Sequence, residues 1–320
     1  MKLAVLGNGA WGSALAELGR RRGHAVRVWG RRARAGENAG IRETVAEAEM
    51  VLLAIPSHAM REVCEQAKPH LPSEAFLISA AKGIEQETEL RPTQIIAQIT
   101  GMERVLVLSG PSFAAEVARA VPTAAVCAAR VEAWARRVQD ALTGEDFRLY
   151  TNTDVIGVEL GGALKNVMAI GAGACAGIGL GENAVAALIT RGLAELARVG
   201  TALGGSMQTF YGLSGVGDLI LTCSSRQSRN RRLGEALGRG EKLEKALAGL
   251  EGTAEGVRTA RSVHQALQKH KLDAPILQEV YAILYDQKPV AQAVKSLMGR
   301  EPKREFEPSQ PPRGVSGKPV

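Results

Sequence analysis

Short apolar runs alternate with amphipathic segments along the first half of the chain. Lys2–Leu6 is apolar, and Ala10–Arg22 then places Leu15 and Leu18 on one helical face and charged residues on the other. Ala25–Trp29 is apolar again, so the opening of the chain has the order and size of a βαβ unit, which takes about 30 residues.

The same alternation continues to about residue 150. Further strands are predicted at Met50–Ile55, Ala75–Ser79, Arg104–Leu108, Thr123–Ala128 and Phe147–Tyr150. Helices are predicted between most of them, at His58–Ala67, Glu89–Ile99 and Glu132–Leu142. Strands that alternate with helices indicate a doubly wound, mostly parallel sheet with helices on both faces.

The pattern changes in the second half. Asp154–Gly204 has long helical periodicity without a convincing strand, and Gln227–Lys245 and Gly256–Gly299 are helical again. Gly212–Cys223 is predicted to be a glycine-rich break between them. The predicted segments are an α/β domain over residues 1–150, an all-helical domain over 151–299 and a loose, proline-rich tail over 300–320.

Composition narrows the class of protein. Hydrophobic residues make up 45% of the chain, which is enough for a packed core. The net charge of +7 is equalled by the seven arginines of Leu18–Arg34, a segment without acids, so the rest of the chain offers no general basic face for nucleic acid. The four cysteines are scattered without a CxxC motif, no apolar run reaches about 20 residues, and the first residues do not show the pattern expected of a leader. We therefore expect a cytoplasmic protein without stable membrane insertion, and the histidine spacing predicts no metal site.

A glycine-rich motif follows the first predicted strand. Gly7, Gly9 and Gly12 form the pattern G-x-G-x-x-G at the start of the first helix, which is the context of a dinucleotide site. Gly7 would allow the tight turn, Gly9 a close approach of the pyrophosphate, and Gly12 the close packing of helix against strand. The pyrophosphate would lie at the positive end of the helix. The motif predicts that the α/β domain is of the Rossmann type.

The end of the second strand bears on the choice between cofactors. Sites that prefer NAD place Asp or Glu there, but this chain has Arg31 and Arg32 after Trp29 and Gly30. Arginine suits a 2′-phosphate because its contact is charge-assisted and can be bidentate. We expect NADP(H) to be preferred and NAD(H) to be usable; the alternative is a solvated arginine pair.

One lysine interrupts Glu159–Ala172, which otherwise has the composition of a buried helix. Lys165 has small or apolar residues three and four positions away on both sides, and lysine is seldom fully buried unless it is paired or functional. Burial would lower its pKa from about 10.4 and suit it to general acid–base chemistry. The alternative is a lysine whose stem covers apolar surface while its ammonium reaches water.

Two further segments allow both a binding and a structural interpretation. Ser228, Arg229 and Asn230 offer a hydroxyl, a guanidinium and an amide that suit a phosphate, or they form the solvated start of a basic helix. Asp218 follows a glycine-rich stretch and precedes an apolar run, so it is predicted as a helix N-cap, a ligand partner or both.

Five sequence blocks carry a family resemblance. They are GNGAWGSALA at the start, SAAKGIE (Ser79–Glu85), LSGPSFAAEVA (Leu108–Ala118), ALKNVMAIGAG (Ala163–Gly173) and GLSGVGDLILTCSSRQSRNRR (Gly212–Arg232). With these blocks in this order, the chain closely resembles the bacterial NAD(P)-dependent glycerol-3-phosphate dehydrogenases from the first strand to about Glu301. The resemblance implies a Rossmann domain followed by a helical domain, and the reversible reduction of dihydroxyacetone phosphate to sn-glycerol 3-phosphate. It also implies a role in supplying the glycerol backbone of phospholipids.

The resemblance implies roles for individual residues. Lys165 matches the catalytic lysine, and Lys82 would polarise the carbonyl oxygen or otherwise contact the substrate. The substrate-binding set is Lys82, Gly110, Ser112, Lys165, Asp218, Ser228, Arg229 and Asn230. The cofactor-binding set is Gly7, Gly9, Ala10, Trp11, Gly12, Arg31, Arg32, Lys82, Ala114, Arg229, Thr253 and Glu255.

These roles carry electrostatic and steric expectations. Lys82 would lower the pKa of Lys165 further, whereas Asp218 would oppose that change. The small residues Gly161–Ala163 would make room for a substrate at the seam between the two domains.

The chain departs from the family pattern at two places. Only Ala33–Glu49 fills a segment that is usually longer, and Thr253 stands where the family has an apolar residue, usually Val. The alternatives are a related β-hydroxyacid or 6-phosphogluconate dehydrogenase, and an NADPH-sensing regulator that binds nucleic acid through Leu18–Arg34 or Ser228–Arg232. A homodimer is compatible with the apolar length of the helical half.

Overall fold

Within the residues that the structure describes, the first half of the chain forms a seven-stranded sheet. The described residues are 1–31, 40–250, 252–302 and 304–305 of the computed structural model. The strands are β1 Lys2–Leu6, β2 Ala25–Trp29, β3 Met50–Leu53, β4 Phe76–Ser79, β5 Val105–Ser109, β6 Thr123–Ala128 and β7 Phe147–Asn152. Their order across the sheet is β2-β1-β3-β4-β5-β6-β7.

Most of the sheet is parallel. β1 pairs in parallel with β2 and β3, β3 pairs with β4, and β4 pairs with β5. β6 is antiparallel to β5, with Val107 opposite Ala128, and β7 runs parallel to β6. The prediction of a mostly parallel sheet is therefore confirmed. Because β1, β4 and β5 all end at one edge, the loops that follow them meet where ligands of doubly wound sheets bind.

Helices cover both faces of the sheet. Leu15 and Leu18 pack with Val5 in one buried cluster, and Met60 packs with Ile95 in the cluster on the opposite face. The Rossmann-type, doubly wound fold is confirmed. The helices are α1 Ala10–Arg21, α2 Ile41–Val45, α3 Met60–Ala67, α4 Pro92–Thr100, α5 Ala114–Ala118 and α6 Glu132–Leu142.

The second half is helical over the residues that the structure describes, as predicted. Its helices are α7 Val155–Gly177, α8 Glu182–Ala202, α9 Met207–Phe210, α10 Asp218–Ser224, α11 Arg229–Gly238, α12 Leu243–Ala248, α13 Glu255–His270, α14 Pro275–Tyr285 and α15 Val290–Met298. The division of the chain near residue 150 stays a prediction. Of the predicted tail, residues 303 and 306–320 lie outside the described residues.

α7 is the central helix of this half. It is buried without interruption from Gly157 to Cys175. Its length and apolar composition would suffice to cross a membrane, but 94% of its most apolar stretch is buried inside the protein, as is typical of a core helix. A Cβ atom on Gly173 would lie 2.0 Å from the carbonyl oxygen of Arg231, so the backbones of α7 and α11 are in direct contact.

The prediction of a break over Gly212–Cys223 is wrong. A π-helical turn, Leu213–Gly217, leads directly into α10. A Cβ atom on Gly215 would lie 2.0 Å from the carbonyl oxygen of Phe210, so the glycine lets this turn pack tightly against the preceding backbone. The glycines here serve close packing within a helical segment, which local sequence cannot distinguish from a loop.

Some boundaries also differ from prediction. β3 ends at Leu53 instead of Ile55, and β7 continues to Asn152. α4 begins at Pro92 and not at Glu89, whose φ of 59° lies in the left-handed region. Proline is favoured in the first turn of a helix because it has no N–H to satisfy there.

A buried carboxylate joins two helices within the helical half. Glu195 on α8 is 4% exposed and accepts hydrogen bonds from the backbone N–H groups of Ile276, at 2.9 Å, and Leu277, at 3.2 Å. It therefore caps the start of α14 from a distance in sequence. Burial raises the pKa of Glu195 from 4.5 to about 7, against the opposing effect of these N–H groups.

Glu195→Gln should change how stability depends on pH. Between pH 4.5 and 7 the folded protein holds more protons at Glu195 than the unfolded chain, so this group's contribution to stability falls as pH rises through that window. The wild type should therefore lose about 3 kcal/mol relative to the variant between pH 4.5 and pH 8. Urea unfolding at several pH values measures this, with Glu244→Gln as an exposed control. Parallel pH curves for the wild type and Glu195→Gln would contradict the expectation.

Candidate functional site

A carboxylate bridges two lysines where the two halves meet. Asp218, the first residue of α10, accepts hydrogen bonds from Lys82 Nζ at 2.6 Å and from Lys165 Nζ at 2.5 Å, one on each oxygen. Lys82 lies in the loop after β4, and Lys165 lies in the middle of α7. Asp218 is not the N-cap of α10, because Gly217 holds that position and the carboxylate is directed to the lysines instead.

Each lysine has a second acceptor. Lys165 Nζ donates to Thr222 Oγ1 at 2.7 Å, and Lys82 Nζ donates to the carbonyl oxygen of Gly110 at 3.0 Å. The Thr222 hydroxyl in turn donates to the backbone carbonyl of Asp218 at 2.6 Å, which turns its lone pairs toward Lys165. Thr222 was missed from the sequence, although its position one helical turn after Asp218 could have indicated it.

The site is almost closed to water. The side-chain exposure is 1% for Asp218, 7% for Lys165 and 19% for Lys82. Burial lowers the pKa of Lys165 to about 8, Asp218 opposes this, and the charge of Lys82 adds to it. Burial would raise the pKa of Asp218, but the two lysines outweigh it and hold the pKa below its ordinary value.

The small residues before Lys165 serve packing more than space for a substrate. A Cβ atom on Gly161 would lie 2.6 Å from the carbonyl oxygen of Ser214, and Ala163 is wholly buried in the core. Only Gly162 faces the seam, where a Cβ atom would lie 2.7 Å from Ser109 Oγ and 3.5 Å from Lys82 Cγ. The expectation that all three make room for a substrate is therefore wrong for two of them.

A chain of amides connects the loop of Lys82 to α11 and α13. Asn166 Nδ2 donates to the carbonyl oxygen of Lys82 at 3.4 Å, and Asn230 Nδ2 donates to Asn166 Oδ1 at 2.9 Å. Asn230 Oδ1 then accepts from the backbone N–H of Gly256 at 3.0 Å. Asn230 thus lies in the network of the site, and Asn166, which the sequence interpretation missed, stands next to Lys165 in the ALKN block.

The start of α11 combines structural and binding features. Ser228 is buried and caps α11, because its Oγ accepts from the backbone N–H of Arg231 at 3.2 Å. Arg231 pairs with Glu235, whereas Arg229 is exposed beside Gly252. Of the three candidate phosphate ligands, Arg229 is therefore the exposed one, whereas Ser228 and Asn230 are buried.

The glycine motif forms the cradle expected for a dinucleotide. Gly7 has a φ of +115°, and a Cβ atom there would lie 2.3 Å from the carbonyl oxygen of Ala54. A Cβ atom on Gly12 would lie 1.7 Å from the carbonyl oxygen of Gly7, whereas one on Gly9 would meet nothing within 4 Å. Gly9 is the N-cap of α1 and has no side chain to cover the helix start. These features fit a pyrophosphate that approaches the N–H groups at Gly9.

The other predicted cofactor residues surround this cradle. Arg31 is exposed just after β2, whereas Arg32 lies outside the described residues. Ala10 is exposed and begins α1, and Trp11 and Ala114 are partly buried against the core beneath the sheet edge. Ser112 Oγ donates to the carbonyl oxygen of Gly110 at 3.2 Å, next to Lys82.

Glu255 reaches across from the helical half to the cofactor edge of the sheet. Its Oε2 accepts a hydrogen bond from Ser57 Oγ at 2.7 Å, just after β3. A Cβ atom on Gly83 would lie 2.5 Å from Ser57 Oγ and 3.2 Å from Glu255 Oε2, so this contact packs directly against the loop of Lys82. Thr253, partly buried, lies two residues before Glu255. Ser57 was missed from the sequence because a serine in a strand-to-helix loop carries no specific signal.

The Rossmann-type sheet half followed by a helical half is the fold of an NAD(P)-dependent dehydrogenase. The first half matches the family described as NAD-dependent glycerol-3-phosphate dehydrogenase N-terminus over residues 2–39 and 34–135. The second half matches the C-terminal family of the same description over residues 154–295. The chain belongs to the NAD-dependent glycerol-3-phosphate dehydrogenase family.

Individual relatives agree with this assignment. The chain is 45% identical over 328 residues to glycerol-3-phosphate dehydrogenase [NAD(P)+] of Moorella thermoacetica, covering 95% of this chain and 98% of the relative. It is 47% identical over 301 residues to the enzyme of the same name from Synechococcus sp., covering 93% and 94%. The crystal structure of glycerol-3-phosphate dehydrogenase from Coxiella burnetii has a TM-score of 0.88 at 36% identity and covers 93% of this chain and 98% of its own. These matches do not favour the hydroxyacid dehydrogenase or the regulator as alternatives.

Two glycine substitutions should separate the cofactor role from the packing role. Gly12→Ala should strongly destabilise the fold, because the new Cβ would collide with the backbone of Gly7. The Cβ of Gly9→Ala would meet no atom of the protein within 4 Å, so the melting temperature of this variant should stay near that of the wild type. Its KM for NADPH should rise by about 10-fold or more, because the Cβ would obstruct the pyrophosphate. Thermal unfolding and steady-state kinetics measure both effects. Unchanged cofactor affinity in Gly9→Ala would argue against the cradle.

Proposed function

We propose that this chain catalyses the reversible reduction of dihydroxyacetone phosphate to sn-glycerol 3-phosphate with NAD(P)H. The observation that carries the proposal is the Lys82–Asp218–Lys165 bridge, which lies beside the Gly110 loop at the edge where the cofactor cradle opens. The names of the chain's relatives support this substrate pair. We also propose that the product supplies the glycerol backbone of phospholipids.

Lys165 is the group that we propose to move the proton. When bound, the reduced nicotinamide supplies the hydride to the carbonyl carbon. Lys165 gives its proton to the carbonyl oxygen during reduction and takes it back during oxidation. A pKa of about 8 lets it serve both directions near neutral pH, because a group with a pKa near the working pH is an efficient acid and base.

The hydrogen bonds of the two ammonium groups support a shared role. An ammonium has three N–H donors. Among the described residues, Lys165 Nζ has two acceptors, Asp218 and Thr222, and Lys82 Nζ also has two, Asp218 and Gly110. Each lysine therefore keeps one donor for a ligand. Because Asp218 holds both ammoniums on the same carboxylate, we propose that the two remaining donors meet one substrate oxygen.

The charge of the bridge also suits the reaction. Two lysines and one aspartate leave an excess of one positive charge in a nearly closed site. Negative charge develops on the substrate oxygen as the hydride arrives, and fixed donors in a water-poor site stabilise such charge strongly. For the phosphate we propose Arg229 and the start of α11, because Arg229 is exposed, precedes Asn230 of the amide network, and lies at a helix start, which favours anions.

The proposed localisation and partners follow from the same observations. We propose a cytoplasmic enzyme that acts on small molecules, without nucleic acid and without stable membrane insertion. The burial of α7, the apolar helix of membrane-spanning length, supports the last point. The homodimer stays a prediction.

An assay with Lys165→Ala tests both the substrate and the mechanism. The wild type should oxidise NADPH rapidly with dihydroxyacetone phosphate, and sn-glycerol 3-phosphate but not β-hydroxyacids should support the reverse reaction. Lys165→Ala should lower kcat by roughly 10² or more, the range for a lost general acid, and leave cofactor binding largely intact. Lys288→Ala, which removes a partly buried lysine paired with Glu279 of α14, is the matched control. A near-normal kcat in Lys165→Ala would remove it from the mechanism, and preference for a hydroxyacid would refute the substrate.

The preference for NADP(H) is a separate proposal. No acidic residue lies between Ala25 and Arg34, and Arg31 is exposed at the end of β2. A carboxylate that would repel a 2′-phosphate is therefore absent from this stretch of sequence, and we propose that Arg31 binds the 2′-phosphate.

The double variant Arg31→Ala/Arg32→Ala should lose this preference. Its KM for NADPH should rise by about 10-fold or more, because a charge-assisted hydrogen bond contributes about 1.5–3 kcal/mol. The KM for NADH should change much less, since NADH has no 2′-phosphate. Steady-state kinetics with both cofactors measures the ratio. An equal rise in KM for NADPH and NADH would show that the arginines do not bind the 2′-phosphate.

A further inference from the structure

The loop that carries Lys82 joins β4 to α4, but the helical half holds it. Ile84 is 7% exposed and belongs to the buried core of the helical half. Ser262 Oγ on α13 donates to the carbonyl oxygen of Ile84 at 3.2 Å. Lys269 Nζ, also on α13, lies 2.9 Å from Glu89 Oε2. The middle of this loop is therefore held by α13 of the helical half as well as by the sheet half, where Arg61 of α3 pairs with Glu85 at 2.8 Å.

The far end of the loop is held by a buried glutamate on α7. Glu159 accepts hydrogen bonds from Thr93 N at 2.8 Å and Thr93 Oγ1 at 2.6 Å. It also pairs with the guanidinium of Arg91, the N-cap of α4, and its side chain is 2% exposed. Both oxygens of this carboxylate are therefore used where the loop enters α4.

Glu159 and Lys165 lie on the same helix. Six residues of α-helix span about 9 Å, so the clamp and the catalytic ammonium are attached to one short, buried, rigid stretch of α7. The loop of Lys82 thus touches α7 twice, at Glu159 and, through Asn166, beside Lys165. At the start of α4 the N–H of Arg91 donates to Gln94 Oε1 at 3.0 Å, whereas the N–H of Thr93 donates to Glu159 on α7.

We propose that Glu159 is a positioning residue for the reaction. By clamping the end of the loop to α7, it fixes Lys82 against Lys165 so that both ammoniums reach one substrate oxygen. This inference rests on the proposed function of the two lysines. Without the clamp the loop is released at one end, Lys82 moves away from Lys165, and the shared oxygen site is lost.

Kinetics of Glu159→Ala test the proposal, with Glu195→Ala as the matched control. Both glutamates are buried, lie on helices of the same half and hold the N–H groups at another helix start, but Glu195 has no contact with the loop of Lys82. Glu159→Ala should lower kcat for dihydroxyacetone phosphate by about 10-fold or more, since small displacements at a reacting site are costly, and leave the KM for NADPH within about two-fold. Glu159→Gln should lie between it and the wild type, because the amide oxygen still accepts from Thr93. Glu195→Ala should lower stability and leave kcat unchanged.

The pH profile distinguishes positioning from a loss of stability. The charge of Lys82 helps to lower the pKa of Lys165, so a retreat of Lys82 raises that pKa. Reduction needs protonated Lys165 and declines as pH rises through its pKa. The alkaline limb of kcat should therefore move to higher pH in Glu159→Ala and stay in place in Glu195→Ala. A general loss of stability would not move this limb.

Hydrogen exchange of the ligand-free protein gives a readout that does not depend on activity. Residues 80–93 should exchange faster in Glu159→Ala, whereas Glu195→Ala should affect the start of α14. A folded Glu159→Ala with wild-type kcat, alkaline limb and exchange would overturn the inference, as would the same kinetic changes in Glu195→Ala. If Glu159→Ala does not fold, Thr93→Val removes one bond of the clamp and should shift the same quantities in the same directions. An inactive wild type would refute the proposed function, while the exchange data would still test the clamp.

Discussion

A buried carboxylate needs positive partners at fixed places, and Asp218 finds them on both halves of the molecule. With 1% of its side chain exposed, it would be unstable as an ion without Lys82 and Lys165. One partner comes from a loop of the sheet domain and the other from the core helix α7. The electrostatic requirement of this group therefore constrains how the halves dock, and the three charges together leave an excess of one positive charge at the seam.

α7 belongs to the core and to the site at once. Its glycines allow direct backbone contact with α11 and with the turn before α10, which brings Asp218 within reach of Lys165. A buried ion pair in such a helix is weak evidence for stability, since apolar residues of similar volume often serve as well. The two charged residues of its buried stretch, Glu159 and Lys165, both bond to groups outside α7: Glu159 to the start of α4, and Lys165 to Asp218.

The loop that carries Lys82 is in direct contact with the residues that follow β3. Gly83 follows Lys82 directly and packs against the hydrogen bond between Ser57 and Glu255. A displacement of the loop of Lys82 would therefore also displace Ser57, just after β3 and beside the glycine motif. This loop therefore links the helical half to the end of the sheet that carries the glycine motif.

The sequence alone determined the regular strands and helices of the sheet half, whereas tertiary packing decided which distant residues meet. Hydrophobic periodicity and turn residues placed β1, β2, β6 and α6 correctly, and the G-x-G-x-x-G motif together with the family blocks singled out the glycine turn and Lys165 as candidate site residues. Hydrophobic periodicity is local, so it could not show that residues 213–224 are helical or that Glu159 clamps α4. The bond between Lys82 and Asp218 joins residues 136 positions apart, and whether a charge is buried, paired or exposed at that distance depends on how whole helices pack. Only the tertiary structure could therefore show that two lysines share one carboxylate.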